Sequence, residues 1–158
     1  MGVNPRSTSG LACQVRPLEV MVIRGCSLDA AIADAELEWY DDGILEVLPV
    51  RWQEVVEVVP AMLIAVTFPK EEVYTSQAQQ VIVERGLEQA NITELMAVAR
   101  EHPKLQEGNC IIATGTESDG RCPFLDVNGE NQRGISLDGR EMPWPPGTIF
   151  LAVEPRIG

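Results

Sequence analysis

Hydrophobic and polar positions divide the chain into a mixed first half and a strand-rich last third. Residues 18–23 (LEVMVI) are an apolar run suited to a first strand. Ser27 stands where a helix cap belongs, ahead of Leu28, Ala31, Ile32 and Ala35 on one helical face. Glu36 to Trp39 then alternates as a strand does, Asp41-Asp42-Gly43 signals a turn, and 44–48 reads as the returning strand, closed by Pro49. Residues 50–59 carry two patterns. Trp52, Val55, Val56 and Val59 fall at helical spacing, while the valines after Glu54 favour a strand through their branched Cβ. A helix is predicted here, because it places Arg51, Gln53, Glu54 and Glu57 on one wet face. Pro60 separates it from 61–68 (AMLIAVTF), a continuous apolar run suited to a central strand.

Two helices follow. Thr75 or Ser76 is expected to cap a helix over 76–85, with Ala78, Val81 and Ile82 on one side and Gly86 at the left-handed terminal position. Asn91-Ile92-Thr93-Glu94 has the form of a capping box for a helix over 92–102, striped by Ile92, Leu95, Met96 and Ala99 and stopped by Pro103. Turn signals at Ser118-Asp119-Gly120, Asn128-Gly129 and Asp138-Gly139 then separate short strand candidates at 109–115, 122–127, 134–138 and 148–154. These predict an antiparallel meander. The whole is an α+β fold in one domain, 17–156, mostly antiparallel sheet with two or three helices on one side, after a flexible arm over 1–16. No internal repeat or low-complexity segment interrupts it.

Composition narrows the function classes. The chain has 158 residues, enough for a core that buries roughly 68–70 % of the unfolded surface without disulfides or metal. Its formal charge of −12 argues against binding nucleic-acid backbones or anionic lipid. The N-terminus lacks the apolar core of a secretory signal, and the apolar stretch 55–68 is shorter than the ~20 residues of a spanning helix, so a cytoplasmic location is expected. Cys13, Cys26, Cys110 and Cys122 form no CxxC pair and lie far in sequence from His102, the one histidine. Reduced, mostly buried thiols are expected, and no metal or cofactor. Cys110 and Cys122 flank a predicted hairpin turn and would pair only in an oxidising compartment.

Motifs for chemistry are scarce. A single histidine at a helix end is a poor base for a nucleophilic triad, and Gly134-Ile135-Ser136-Leu137-Asp138 only approaches a nucleophile elbow, in a hairpin rather than a strand-to-helix turn. No glycine-rich phosphate loop is present. Counted from Asp126, a calcium loop needs glycine and glutamate where Asn131 and Leu137 stand. Asp138, Arg140 and Trp144, in and beside a proline-stiffened loop, form a candidate ligand-binding group, since arginine and tryptophan together can stack on a ligand. A tryptophan in such a loop also commonly plugs the end of a small sheet.

Val66-Thr67, Gly86-Leu87, His102-Pro103-Lys104-Leu105, Trp144-Pro145 and Phe150-Leu151-Ala152-Val153 set out a helical pair followed by a β-rich tail. In this layout the chain, over about 61–155, resembles small bacterial proteins to which no activity is assigned. The resemblance implies the arrangement of elements and no site.

The distribution of charge says more. Between Gly25 and Val50 lie seven acids (Asp29, Asp34, Glu36, Glu38, Asp41, Asp42 and Glu46) and no lysine or arginine, leaving 17 acids against 12 bases elsewhere. One explanation is a solvated face that maintains solubility. The sharper expectation is a partner-binding surface made of Asp34, Glu36, Glu38, Trp39, Asp41 and Asp42, with Trp39 and Tyr40 as aromatic anchors, that docks a basic protein as an inhibitor or immunity protein would. The alternatives are a small-ligand binder or enzyme with a pocket between the helical pair and the C-terminal sheet, and a homodimer joined through sheet edges.

Overall fold

Every residue of Ile149–Val153 is buried, and this segment (β8) forms the middle of the sheet. A computed structural model describes residues 11–41, 43–47, 56–117, 120–138 and 142–155. In chain order the other elements are β1 (Gln14–Arg24), α1 (Leu28–Asp34), β2 (Trp39–Tyr40), α2 (Ile44–Val47), β3 (Glu57–Thr67), α3 (Thr75–Glu84), β4 (Glu88–Gln89), α4 (Ile92–Glu101), α5 (Pro103–Gly108), β5 (Ile111–Ile112), β6 (Cys122–Val127) and β7 (Arg133–Asp138). The strands form one eight-stranded sheet in the order β1-β3-β8-β5-β6-β7-β2, with β4 also pairing β8. Pairing is antiparallel except for β5 with β8 and β2 with β7. The fold is α+β, as the pattern predicts.

Alternation along the central strands separates two cores. Leu63, Ala65, Ile149, Leu151 and Val153 share one cluster with Leu28 and Ile32 of α1 and Leu95 and Val98 of α4. Val66, Phe150, Ala152 and Ile112 point the other way and pack with Ala78, Val81 and Ile82 of α3 and with Phe68 and Trp144. The sheet therefore carries α1 and α4 on one face and α3 on the other. Period-2 alternation with both sets apolar is what a sheet covered on both faces requires.

Several expectations are corrected. The returning strand at 44–48 does not form: Ile44–Val47 is helical, starting with the Ile44 N–H donating to the Asp41 carbonyl at 2.9 Å. Residues 38–41 pair with β7 instead, through Glu38 N–H to Arg133 O (2.8 Å) and Asp41 N–H to Ile135 O (3.0 Å). The helix expected over 50–59 is strand at 57–59, paired with Val22 to Arg24, so the branched valines outweigh the helical stripe there. Residues 50–55 lie outside the described residues. Pro60 sits inside β3 rather than before it, opposite Met21, whose N–H and C=O turn outward to side chains of α4. A proline is tolerated where no ladder bond is asked of it. Strand β1 begins at Gln14, within the segment expected as an arm; residues 1–10 are not among those described.

Other boundaries shift by smaller amounts. The N-cap of α3 is Tyr74, whose N–H donates to Gln77 Oε1 at 2.9 Å, and Thr75 Oγ1 accepts from Trp144. Asn91 and Glu94 do form a reciprocal capping box on α4. Pro103 ends α4 but opens α5 as its first residue, where a missing N–H is harmless. The strand expected at 109–115 shrinks to Ile111–Ile112. The Asn128-Gly129 turn is a longer loop in which Asn131 takes the left-handed conformation (φ 60°), and Asn128 Oδ1 accepts from both Glu130 and Gln132 N–H. The tail is a meander only through β5, β6 and β7, because β8 returns between β3 and β5.

Candidate functional site

The acidic segment folds onto the β7 edge of the sheet. Glu36 adopts φ 56°, turning the chain out of α1 after its C-cap at Ala35. The two main-chain bonds that flank β2 then hold residues 38–41 against β7. Asp34, Glu36, Glu38, Tyr40 and Asp41 are all exposed, and Tyr40 keeps 44 % of its surface. Asp42 lies outside the described residues. Asp34 pairs with Arg100 Nη1 at 3.8 Å, and Asp41 Oδ2 accepts from the Leu137 N–H at 3.5 Å.

Trp39 faces inward. Its indole N–H donates to the Gln132 carbonyl at 2.8 Å, and its ring lies directly over Gly134. A Cβ on Gly134 would sit 2.0 Å from the ring, so only glycine leaves room for it. Trp39 therefore anchors the segment to its own sheet, and Tyr40 is the aromatic that faces solvent.

A polar node beneath the segment went unnoticed in the sequence. The Arg133 guanidinium donates to the carbonyls of Ala35 (3.1 Å) and Ala99 (2.5 Å), closing the ends of α1 and α4, and to Gln106 Oε1 at 3.2 Å. Gln106 is 1 % exposed, and its amide nitrogen donates to Asp126 O and Gly134 O, both at 2.8 Å. Burial pulls the Arg133 pKa down, opposed by the nearby charges of Glu107, Glu36 and Glu38. Glu107 of α5 thus adds a carboxylate to the same neighbourhood. A lone arginine beside two glutamates of the acidic run offers no sequence signal, because the three meet only through the sheet.

The second group does not present a stacking platform. Trp144 is 2 % exposed, its Nε1–H donates to Thr75 Oγ1 at 2.9 Å, and Phe124 packs edge-on against it at 5.4 Å. It plugs the second core. Asp138 is half-buried at the end of β7, and Arg140 is outside the described residues.

The four cysteines form no disulfide, and burial pushes the Cys122 thiol up to about 11. Among the described residues no group of three or more His, Cys, Asp or Glu is placed to hold a metal ion, and no helix is long and apolar enough to cross a membrane. Comparison with protein-family models, curated proteins and solved structures finds no match to this chain.

Proposed function

We propose that the protein is a non-catalytic interaction protein that docks a basic protein partner through Asp34, Glu36, Glu38, Tyr40 and Asp41. The observation that carries this reading is the exposure of these side chains, with residues 38–41 hydrogen-bonded along β7 and Asp34 and Glu36 at the end of α1. A presenting segment that is already ordered loses little conformational entropy on binding, which is what a docking surface needs. Four exposed carboxylates steer a basic partner and raise the encounter rate, while Tyr40 supplies the amphipathic contact common at interface centres. Inhibition of a basic enzyme is one outcome that such docking serves.

The test is affinity capture from the native host with the wild type and with a Glu36→Gln/Glu38→Gln/Asp41→Asn variant, followed by kinetics with the recovered partner. The variant should lose association rate by about tenfold or more at low salt, with little change at high salt. Tyr40→Ala should instead speed dissociation. Unchanged association and an unchanged salt dependence in the triple variant would refute the proposal.

A further inference from the structure

At the opposite edge of the sheet, β1 and the α4–α5 junction border an open cleft of about 490 Å³ lined by Arg16, Leu18, His102, Lys104, Leu105 and Asn109. That volume is in the range of small-molecule sites, about 300–1,000 Å³. Its charge is opposite to that of the protein as a whole. The Arg16 and Lys104 side chains are exposed and form no hydrogen bond or ion pair among the described residues. The acid on the cleft wall, Glu101, is already paired: its Oε2 accepts from Met21 N–H at 2.8 Å and from Arg100 Nη2 at 2.7 Å.

The rest of the cleft is built to hold shape. His102 Nε2 lies 3.1 Å from the Glu19 carbonyl. A carbonyl can only accept, so this nitrogen carries the proton and the ring is fixed against β1. The Asn109 amide donates to Leu105 O at 3.2 Å, which leaves its oxygen available as an acceptor. Leu18, 2 % exposed, and Leu105 belong to the first core and give the cleft an apolar floor.

We propose that this cleft binds a small organic anion, with its carboxylate or phosphate between Arg16 and Lys104 and its apolar body on Leu18 and Leu105. This site is independent of the acidic docking surface. Two free cations above an apolar floor discriminate by charge at one end of the ligand and by hydrophobic contact at the other. The pairing of Glu101 with Arg100 lessens the repulsion that an anion meets from this carboxylate.

The full chain, 15N-labelled, is titrated with benzoate and phenyl phosphate, and with benzamide and benzylamine as neutral and cationic analogues of the same ring. The anions should give saturable shifts at Arg16, Leu18, Lys104, Leu105 and Asn109. Arg16→Gln and Lys104→Gln should each weaken binding by about tenfold, the equivalent of one charge-assisted hydrogen bond. Both positions are exposed, so a wild-type-like spectrum of each free variant verifies its fold. Tighter binding of phenyl phosphate assigns the head group as phosphate, and tighter binding of benzoate assigns it as carboxylate. Shifts that do not saturate or that map elsewhere overturn the proposal. So does equal binding of benzylamine, or full affinity in the Arg16→Gln/Lys104→Gln variant.

Discussion

Replacing Gly134 with alanine places a methyl carbon 2.0 Å from Trp39 Cε2 and 2.1 Å from Cδ2. Carbon atoms in contact sit at about 3.5–4.0 Å, so the indole must retreat by roughly 1.5 Å or more. The retreat breaks the 2.8 Å bond from Trp39 Nε1 to Gln132 O. Overpacking costs about 1–3 kcal/mol and the lost hydrogen bond about 1, while replacing a strand glycine by alanine returns about 0.5–1. The expected net loss is about 1–3 kcal/mol. For a domain of this size that corresponds to a fall in Tm of roughly 2–4 °C per kcal/mol. Urea denaturation followed by far-UV circular dichroism measures it. The sign should reverse in a Trp39→Ala background: with no ring to strike, Gly134→Ala should be neutral or stabilising by up to about 1 kcal/mol. An equal loss in both backgrounds would show that the ring is not the cause. The same substitution should loosen the acidic segment, which Trp39 helps hold to β7.

Gln106→Leu removes a donor to two carbonyls and an acceptor for Arg133 at a position that is 1 % exposed. It should cost about 2–4 kcal/mol, read by urea denaturation. Arg100→Ala/Glu101→Ala strips the side chains that bond Met21 N–H and C=O on the outer edge of β1, and should convert a monomeric fraction to concentration-dependent oligomers in light scattering. Asp126 Oδ1 is buried with no hydrogen-bond partner among the described residues, and burial raises the Asp126 pKa above its ordinary value. A raised carboxyl pKa means that the native state disfavours the anion, so stability falls as pH rises through the interval between the unfolded and folded values. Asp126→Asn should therefore stabilise the protein at pH 7, and the gain should vanish below about pH 4 in a pH series of urea melts.

Local signals in the sequence were reliable where one principle acted alone. The strand over 122–127 has the predicted bounds, and the Asn91/Glu94 box caps α4. The pattern failed where long-range pairing competed with local preference. Ile44–Val47 is helical, and residues 38–41 pair with the distant β7 instead of with a returning strand. Residues 57–59 joined β3 because β1 offered an eleven-residue partner. Of the acidic group, Glu36, Glu38 and Asp41 stand exposed as expected, but Trp39 turned inward onto a glycine 95 positions later in the chain. Trp144 went to the core, where Thr75 satisfies its N–H. The Arg16–Lys104 cleft joins residues from the first strand and the fifth helix, and no spacing rule connects them.

What the sequence determined by itself was a class and a charge cluster: an acidic α+β domain with seven acids and no lysine or arginine between Gly25 and Val50. Composition and periodicity suffice for that, because they depend on each residue and its near neighbours. The tertiary structure decided which groups remain available. Insertion of β8 between β3 and β5 set the strand order, which left β1 and β2 as the two edges. At one edge Glu101 is paired with Arg100 and the Met21 N–H, while Arg16 and Lys104 have no partner among the described residues; at the other, Trp39 is consumed and Tyr40 exposed. Availability is a property of what else is nearby, and nearness across a sheet is set by pairing over distances that no local pattern encodes.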